Sequence, residues 1–167
     1  GDFPTHQRVD QSTEMTNQPI DQSTNRPLNL TRRQLAGQRL LVGFDGTRFD
    51  TDLEFLIGDI NVGGIIIFSR NVESPDQLRE LTGACQAHAR ACGQPPLIVA
   101  VDQEGGPVAR LRSPFTEFAG IAKMAEEDDA VRFAKITAQE LLSVGINMDF
   151  APVLDLAPVE IDSVMAE

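Results

Sequence analysis

The sequence predicts an α/β fold in which parallel strands alternate with helices, and three observations predict it. Gly63–Phe68 reads Gly-Gly-Ile-Ile-Ile-Phe, a continuous apolar run of the kind found in strands covered on both faces. From Thr31 onward, strand and helix patterns follow the order β-α-β-α-β-α-β, which calls for a parallel sheet with right-handed crossovers. Acidic residues then stand at the C-terminal ends of the strands, where a (β/α) barrel builds its pocket. Four such units would make half of a (β/α)8 TIM barrel, a half-barrel with two open sheet edges, so the chain is expected to be a fragment, to pair with another half or to form an open sheet.

Each element has its own local reason. Residues 1–30 read as a disordered polar tail. They are rich in Gln, Thr, Asn, Asp and Pro and hold too little apolar surface to offset the entropy of ordering. Asp-Gln-Ser-Thr recurs at 10–13 and 21–24, too short a repeat to build a fold. Residues 31–167 form the barrel portion. Arg39–Phe44, followed by Asp45-Gly46, suits a first strand and its loop, and Asp52–Ile60 a short helix. After the second strand, Gly63–Phe68, Ser74 offers an N-cap, Pro75 fits the first helical position and Gln77 completes a capping box. Leu78, Leu81, Cys85 and Cys92 share one face of that helix, and Gly93 ends it. Pro96–Val101 is the third strand. Glu126–Val144 is a long helix with an acidic first turn and Gly145 at its end, and Ile146–Leu154 is the fourth strand.

Composition narrows the function classes. With 41% hydrophobic residues among 167, the chain is equipped for one real core. A formal net charge of −11 argues against a nucleic-acid partner, because phosphate binding needs clustered Lys and Arg. No apolar run approaches the roughly 18 residues a membrane span requires. Cys85 and Cys92 lie two helical turns apart, about 10 Å, too far for a disulfide. No Cys/His cluster suggests a structural zinc, so no metal and no cofactor are expected. Free thiols fit a cytoplasmic setting. No signal peptide is read at the N-terminus, although the chain begins at Gly1 rather than Met.

The chemistry concentrates in Val101-Asp102-Gln103-Glu104-Gly105-Gly106, closed by Arg110. Asp102 and Glu104, two apart in an extended segment, face the same side. Spacing alone admits two readings. The pair could serve as acid and nucleophile, since glycosidic cleavage uses two carboxylates about 5–5.5 Å apart in retaining enzymes and wider in inverting ones. Alternatively, one carboxylate binds ligand hydroxyls while the other pairs with Arg110 or Arg112. Gly105-Gly106 permits a tight turn and close approach of the backbone to a ligand. Asp45 and Asp155 also follow strand ends, as ligand contacts or as plain strand terminators and caps. Asp149 lies inside the fourth strand, where it would point into the barrel. Arg70, after the second strand, is placed to reach a buried carboxylate. His6 and His88 have no Ser or Cys partner for nucleophilic catalysis, and Gly63-Gly64 precedes a strand, not the helix a phosphate loop needs.

From about Leu40 to Glu167 the chain resembles the N-terminal half of a glycoside hydrolase family 3 catalytic barrel, particularly that of bacterial β-N-acetylhexosaminidases. The resemblance rests on Ile-Ile-Ile-Phe-Ser-Arg-Asn at 65–71, Val-Asp-Gln-Glu-Gly-Gly-Pro-Val-Ala-Arg-Leu at 101–111, Pro-Phe-Thr at 114–116 and Gly-Ile-Asn-Met-Asp-Phe-Ala-Pro-Val-Leu-Asp at 145–155. It implies hydrolysis of terminal, non-reducing β-linked N-acetylhexosamine with retention, usually in cytoplasmic recycling of cell-wall muropeptides. It further implies a small carbohydrate partner, an N-acetylglucosaminide or muropeptide. By the same resemblance, Asp102 matches an aspartate that hydrogen-bonds the sugar hydroxyls, and Arg110 an arginine of that subsite. Glu104 matches a family carboxylate, expected to support the arginines rather than transfer protons. Pro107 departs from the basic residue many relatives carry. The family's further sugar-binding Arg, its Lys-His pair, its Asp–His acid/base dyad and its aspartate nucleophile have no counterpart in these residues. No catalytic residue is therefore assigned, and the chain alone is expected to lack turnover. Two other readings stand beside this one: a non-catalytic carbohydrate-binding or interaction module, and a β-glucosidase-type member. The open edges also suggest self-association.

Overall fold

The strands form where the β-branched runs lie, but each is shorter than its run. A computed structural model describes residues 29–120, 123–124 and 126–154. Most of the expected tail (residues 1–28) and Asp155 lie outside the described residues. Among the described residues there are six strands: β1 (Leu41–Gly43), β2 (Gly64–Ile67), β3 (Ile98–Val101), β4 (Gln103–Gly105), β5 (Val108–Ala109) and β6 (Met148–Asp149). The α-helices are α1 (Arg32–Gly37), α2 (Thr51–Phe55), α3 (Pro75–Ala91) and α4 (Glu127–Ser143). A π-helical turn continues α2 over Leu56–Ile60, and a 3-10 turn spans Ser69–Asn71.

The four expected strands pair in parallel in the order β1-β2-β3-β6. Register places Leu41, Gly64 and Ile98 side by side, and likewise Val101 and Asp149. Because side chains alternate along a strand, the register separates two faces. Ile65, Ile67, Val99 and Val101 are fully buried in one core with Leu53 and Ile57 of the α2 region and Leu78, Leu81 and Cys85 of α3. On the other face Leu41, Ile98 and Met148 remain 36–40% exposed. Gly64 is where strands crowd: a Cβ there would sit 2.5 Å from both the Ile98 carbonyl oxygen and Leu41 Cδ1.

The strand ends shift for backbone reasons. Pro95 and Pro96 have no N–H to donate, so pairing of β3 begins where the Ile98 N–H reaches the Gly63 carbonyl at 2.9 Å. The fourth strand stops at Asp149, two residues past the Asn147 N–H bond to Val99 O and just before that of Phe150 to Val101 O. It does not continue to Leu154, since Pro152 lacks a donor. β1 starts late because Leu40 N–H is spent on Gly37 O at the end of α1. That short helix was not expected. Thr31 caps it reciprocally with Gln34, a signal overlooked because six residues show no apolar period.

α3 starts as its capping box dictates, with Ser74 Oγ accepting from the Gln77 N–H at 3.1 Å. Its buried face is Leu78, Leu81, Thr82, Cys85 and Ala89. Cys92 leaves that face: it is the half-buried C-cap, with Sγ 3.5 Å from His88 Nε2. Both cysteines are free. Among the described residues no helix is long and apolar enough to cross a membrane.

Candidate functional site

β3 delivers Asp102 to the C-terminal rim of the sheet, and the chain turns there into an unforeseen hairpin. β4 and β5 pair antiparallel, with Gln103 opposite Ala109 and Gly105 opposite Val108. The turn needs its two glycines, since Gly105 and Gly106 sit at φ +82° and +58°. On one side the two glycines approach the chain itself. Gly106 N–H donates to Phe118 O at 2.8 Å, and a Cβ on Gly105 would lie 2.8 Å from Ala119 O.

The hairpin returns Arg110 to the side of Asp102. Arg110 Nη2 lies 3.0 Å from Asp102 Oδ2, with the side chains 28% and 23% exposed. Arg110 Nε is buried and has no hydrogen-bond partner among the described residues. Between the two, Gln103 is buried, a residue the sequence reading passed over. Its Oε1 accepts from the N–H groups of Arg110 at 2.9 Å and Leu111 at 3.0 Å, and its Nε2 donates to Leu111 O at 2.8 Å. The one available signal was alternation: a Gln between two same-facing carboxylates must face the other way.

Alternation also explains Glu104. Along β4, Gln103 and Gly105 are buried and Glu104 is half-buried on the opposite side. Glu104 forms no ion pair or hydrogen bond among the described residues, so it does not support the arginines by contact. Arg110 is engaged by Asp102, and Arg112 by Glu117 at 3.1 Å. Asp149 shares the covered face with Val101 through its register, instead of pointing into the open face. Its Oδ1 accepts from Gln103 N–H at 2.9 Å. Burial, then the neighbouring charges of Asp102 and Glu104, hold the Asp149 carboxyl above the usual carboxylate range, against the hydrogen bonds from the Gln103 and Phe150 N–H groups.

The loops after β1 and β2 complete the rim. Arg70 Nε lies 2.8 Å from Asp45 Oδ1, whose side chain is 92% exposed. The expected buried partner is thus a surface one, because β1 is the neighbour of β2 and Asp45 is the acid its loop presents. The Arg70 guanidinium lies 4.7 Å from the centre of the Phe68 ring and that of Arg110 5.8 Å from it, so Phe68 stands between the two ion pairs. Asn71, fully buried, was missed. Its side chain donates to Phe44 O at 3.1 Å and Gly46 O at 2.8 Å and accepts from Phe68 N–H at 2.9 Å, tying both loops together. No local pattern announces the tie between the loops, since the two carbonyls it reaches lie 27 and 25 residues away. His88 packs on Phe49 at 5.3 Å and belongs to α3, not the rim. Among the described residues no group of three His, Cys, Asp or Glu side chains is arranged to hold a metal ion.

The rim therefore offers carboxylate acceptors beside guanidinium donors, with no net excess of positive charge. The profile described as the glycosyl hydrolase family 3 N terminal domain matches residues 8–165, beginning ahead of the boundary at residue 30 drawn from composition. A beta-hexosaminidase of Alkalilimnicola ehrlichii is 44% identical over 126 residues, covering 70% of this chain and 35% of the relative. A beta-hexosaminidase of Pseudomonas aeruginosa is 39% identical over 121 residues with the same coverage. Among solved structures, a glycoside hydrolase family 3 β-N-acetylglucosaminidase from Paenibacillus sp. str. FPU-7 superposes with a TM-score of 0.73 at 38% identity, over 76% of this chain and 25% of that one. NagZ from Neisseria gonorrhoeae does so with a TM-score of 0.61 at 30% identity, over 70% of this chain and 36% of that one. The chain spans about a third of the length of these curated relatives.

Proposed function

This chain belongs to the glycosyl hydrolase family 3 N-terminal domain family, and from that premise we propose that it forms the sugar-holding corner of a retaining exo-glycosidase acting on terminal, non-reducing β-linked N-acetylhexosamine. The observation that carries the reading is the Asp102–Arg110 pair at the sheet's C-terminal rim. A sugar presents hydroxyl groups that both donate and accept. A carboxylate and a guanidinium side by side meet that need, while their cancelling charges give no preference for an anion. Asp102 accepts from the hydroxyls and Arg110 donates to them. Glu104 and Asp45 line the same rim as outer contacts, and Asp155 is assigned to the site from the sequence.

The bond-breaking step is assigned to residues outside these 167. Retaining hydrolysis requires a nucleophile and an acid/base; of the described rim carboxylates Asp102 is engaged by Arg110, Asp45 by Arg70 and Asp149 by the Gln103 N–H, which leaves Glu104 as one free carboxylate where two are needed. The substrate class is supported by the hexosaminidase relatives and by NagZ of Neisseria gonorrhoeae, whose complex with N-trifluoroacetyl-D-glucosamine is among the matching structures. Muropeptide fragments of the cell wall are the natural source of such a terminal sugar, and the free thiols suit a cytoplasmic enzyme.

The test is hydrolysis of 4-nitrophenyl N-acetyl-β-D-glucosaminide by the whole protein that carries this chain. Release of 4-nitrophenol is expected, with a raised KM in Asp102→Asn. No release, or a preference for the glucoside that lacks the acetamido group, would overturn the reading. The 167-residue chain by itself should show no turnover, and release of 4-nitrophenol by it alone would move the chemistry back among these residues.

A further inference from the structure

We propose that Gln103 is a positioning residue whose buried carboxamide sets where Arg110 stands relative to Asp102. The inference rests on the reading of Asp102 and Arg110 as sugar contacts, and adds to it the group that holds them in register. Arg110 and Leu111 follow β5, which ends at Ala109, so no strand pairing fixes their backbone. The β4–β5 register is itself irregular between Gln103 and Gly105.

Gln103 supplies what the ladder does not. Both N–H groups, of Arg110 and Leu111, converge on its Oε1, and its Nε2 returns a bond to Leu111 O. The carbonyl thus uses both lone pairs and the amide one of its two N–H groups. Gln103 directly follows Asp102, so its side chain links the backbone of one sugar contact to that of the other across eight residues. Two anchors keep the link stiff. Leu111 is 1% exposed within the core, and Gln103 N–H is held by Asp149 Oδ1 on β6. The remaining tether on Arg110 is weaker, a 3.4 Å bond from Ser69 Oγ to its carbonyl. A residue needed only to fill space here would be apolar, since burying an amide costs free energy unless its partners are supplied.

Two substitutions test the role in the whole protein. Gln103→Met keeps length but removes the acceptor, and Gln103→Asn keeps the amide but withdraws it by one methylene. Thr82→Val serves as the control: it deletes a buried hydrogen bond to Val144 O at 2.8 Å, remote from the rim. Both Gln103 variants should raise KM for the N-acetyl-β-glucosaminide about tenfold or more, the effect of losing a buried hydrogen bond, with a smaller change in kcat. Thr82→Val should lower Tm comparably and leave KM unchanged. The second readout needs no substrate: the Asp102–Arg110 coupling, taken from a thermal double-mutant cycle, should vanish in a Gln103→Asn background. Gln103 variants that lose Tm while keeping both KM and that coupling would overturn the proposal. A wild type that hydrolyses no N-acetylhexosaminide while the coupling still depends on Gln103 would instead refute the proposed substrate and leave the positioning role standing.

Discussion

Asp102 and Arg110 close the mouth of the β4–β5 hairpin, 3.0 Å apart and each roughly three-quarters covered. Their shielding sets this pair apart from Asp76–Arg79 on α3, which is closer at 2.6 Å but has side chains 92% and 54% exposed. Distance alone would rank the helix pair first. Exposure reverses the order, because water and salt screen a surface pair to near nothing while a covered pair keeps most of its attraction. A double-mutant cycle with Asp102→Asn and Arg110→Met should therefore give a coupling of about 1–2 kcal/mol that changes little with salt. The same cycle with Asp76→Asn and Arg79→Met should give less than about 0.5 kcal/mol at moderate ionic strength. Urea titrations of the variants measure both, and equal couplings for the two pairs would refute the argument.

The glycines make a contrast of opposite signs. Gly105→Ala places a Cβ against Ala119 O at a left-handed φ of +82°, and should destabilise by about 1–3 kcal/mol through strain and collision together. Gly83 lies exposed inside α3, where a Cβ would meet nothing within 4 Å. Gly83→Ala should stabilise by about 0.5–1 kcal/mol, the helix propensity difference. Thermal melts of the two variants moving in the same direction would contradict this account.

Much of this contrast bears on what a linear reading sees. β2 was legible to within one residue at each end because the signal, three successive isoleucines, is local. The start of α3 was legible for the same reason, as a capping box needs only four residues. Gly105-Gly106 was visible as a turn, but its packing against the 118–120 segment was not, because those residues come together only in the fold. Asp102 and Arg110 stood out through the motif; spacing alone left the Asp102–Glu104 pair open between catalysis and ligand binding, and the family resemblance assigned Asp102 to the sugar, while the hairpin that sets Arg110 beside Asp102 depends on tertiary packing. Gln103 was legible only as the residue facing away from the two carboxylates; what it and Asn71 hold was not, because the Arg110 and Leu111 N–H groups and the Phe44 and Gly46 carbonyls come within reach only in the fold.

The two cysteines should react as different groups. Cys85 is fully buried, and burial, helped by the negative charge of Asp50, pushes its thiol up to about 12. At pH 8 it is protonated and shielded, hence inert. Cys92 is half-buried at the end of α3. A disulfide exchange reagent should therefore titrate one thiol per native chain promptly and a second only in denaturant. Two prompt thiols in the native chain would show that the core around Cys85 opens.

Asp149 carries the pH dependence. Its carboxyl is held above the ordinary value of 3.8, first by burial and then by repulsion from Asp102 and Glu104. Between 3.8 and the raised folded value, the native state binds more protons at this site than the unfolded chain does. Stability therefore falls as pH rises through that window, and the group's contribution is full only below 3.8. Asp149→Asn removes the charge but keeps an oxygen that can accept from the Gln103 N–H, so the hairpin stays tied to β6. The variant should melt above the wild type at pH 7, and the two curves should converge as the pH falls below the ordinary carboxylate value. Circular dichroism melts across pH 3–8 measure this directly. A variant that melts below the wild type at pH 7 would mean that the ionised carboxylate is stabilised by a positive group facing it, and would reverse the sign argued here.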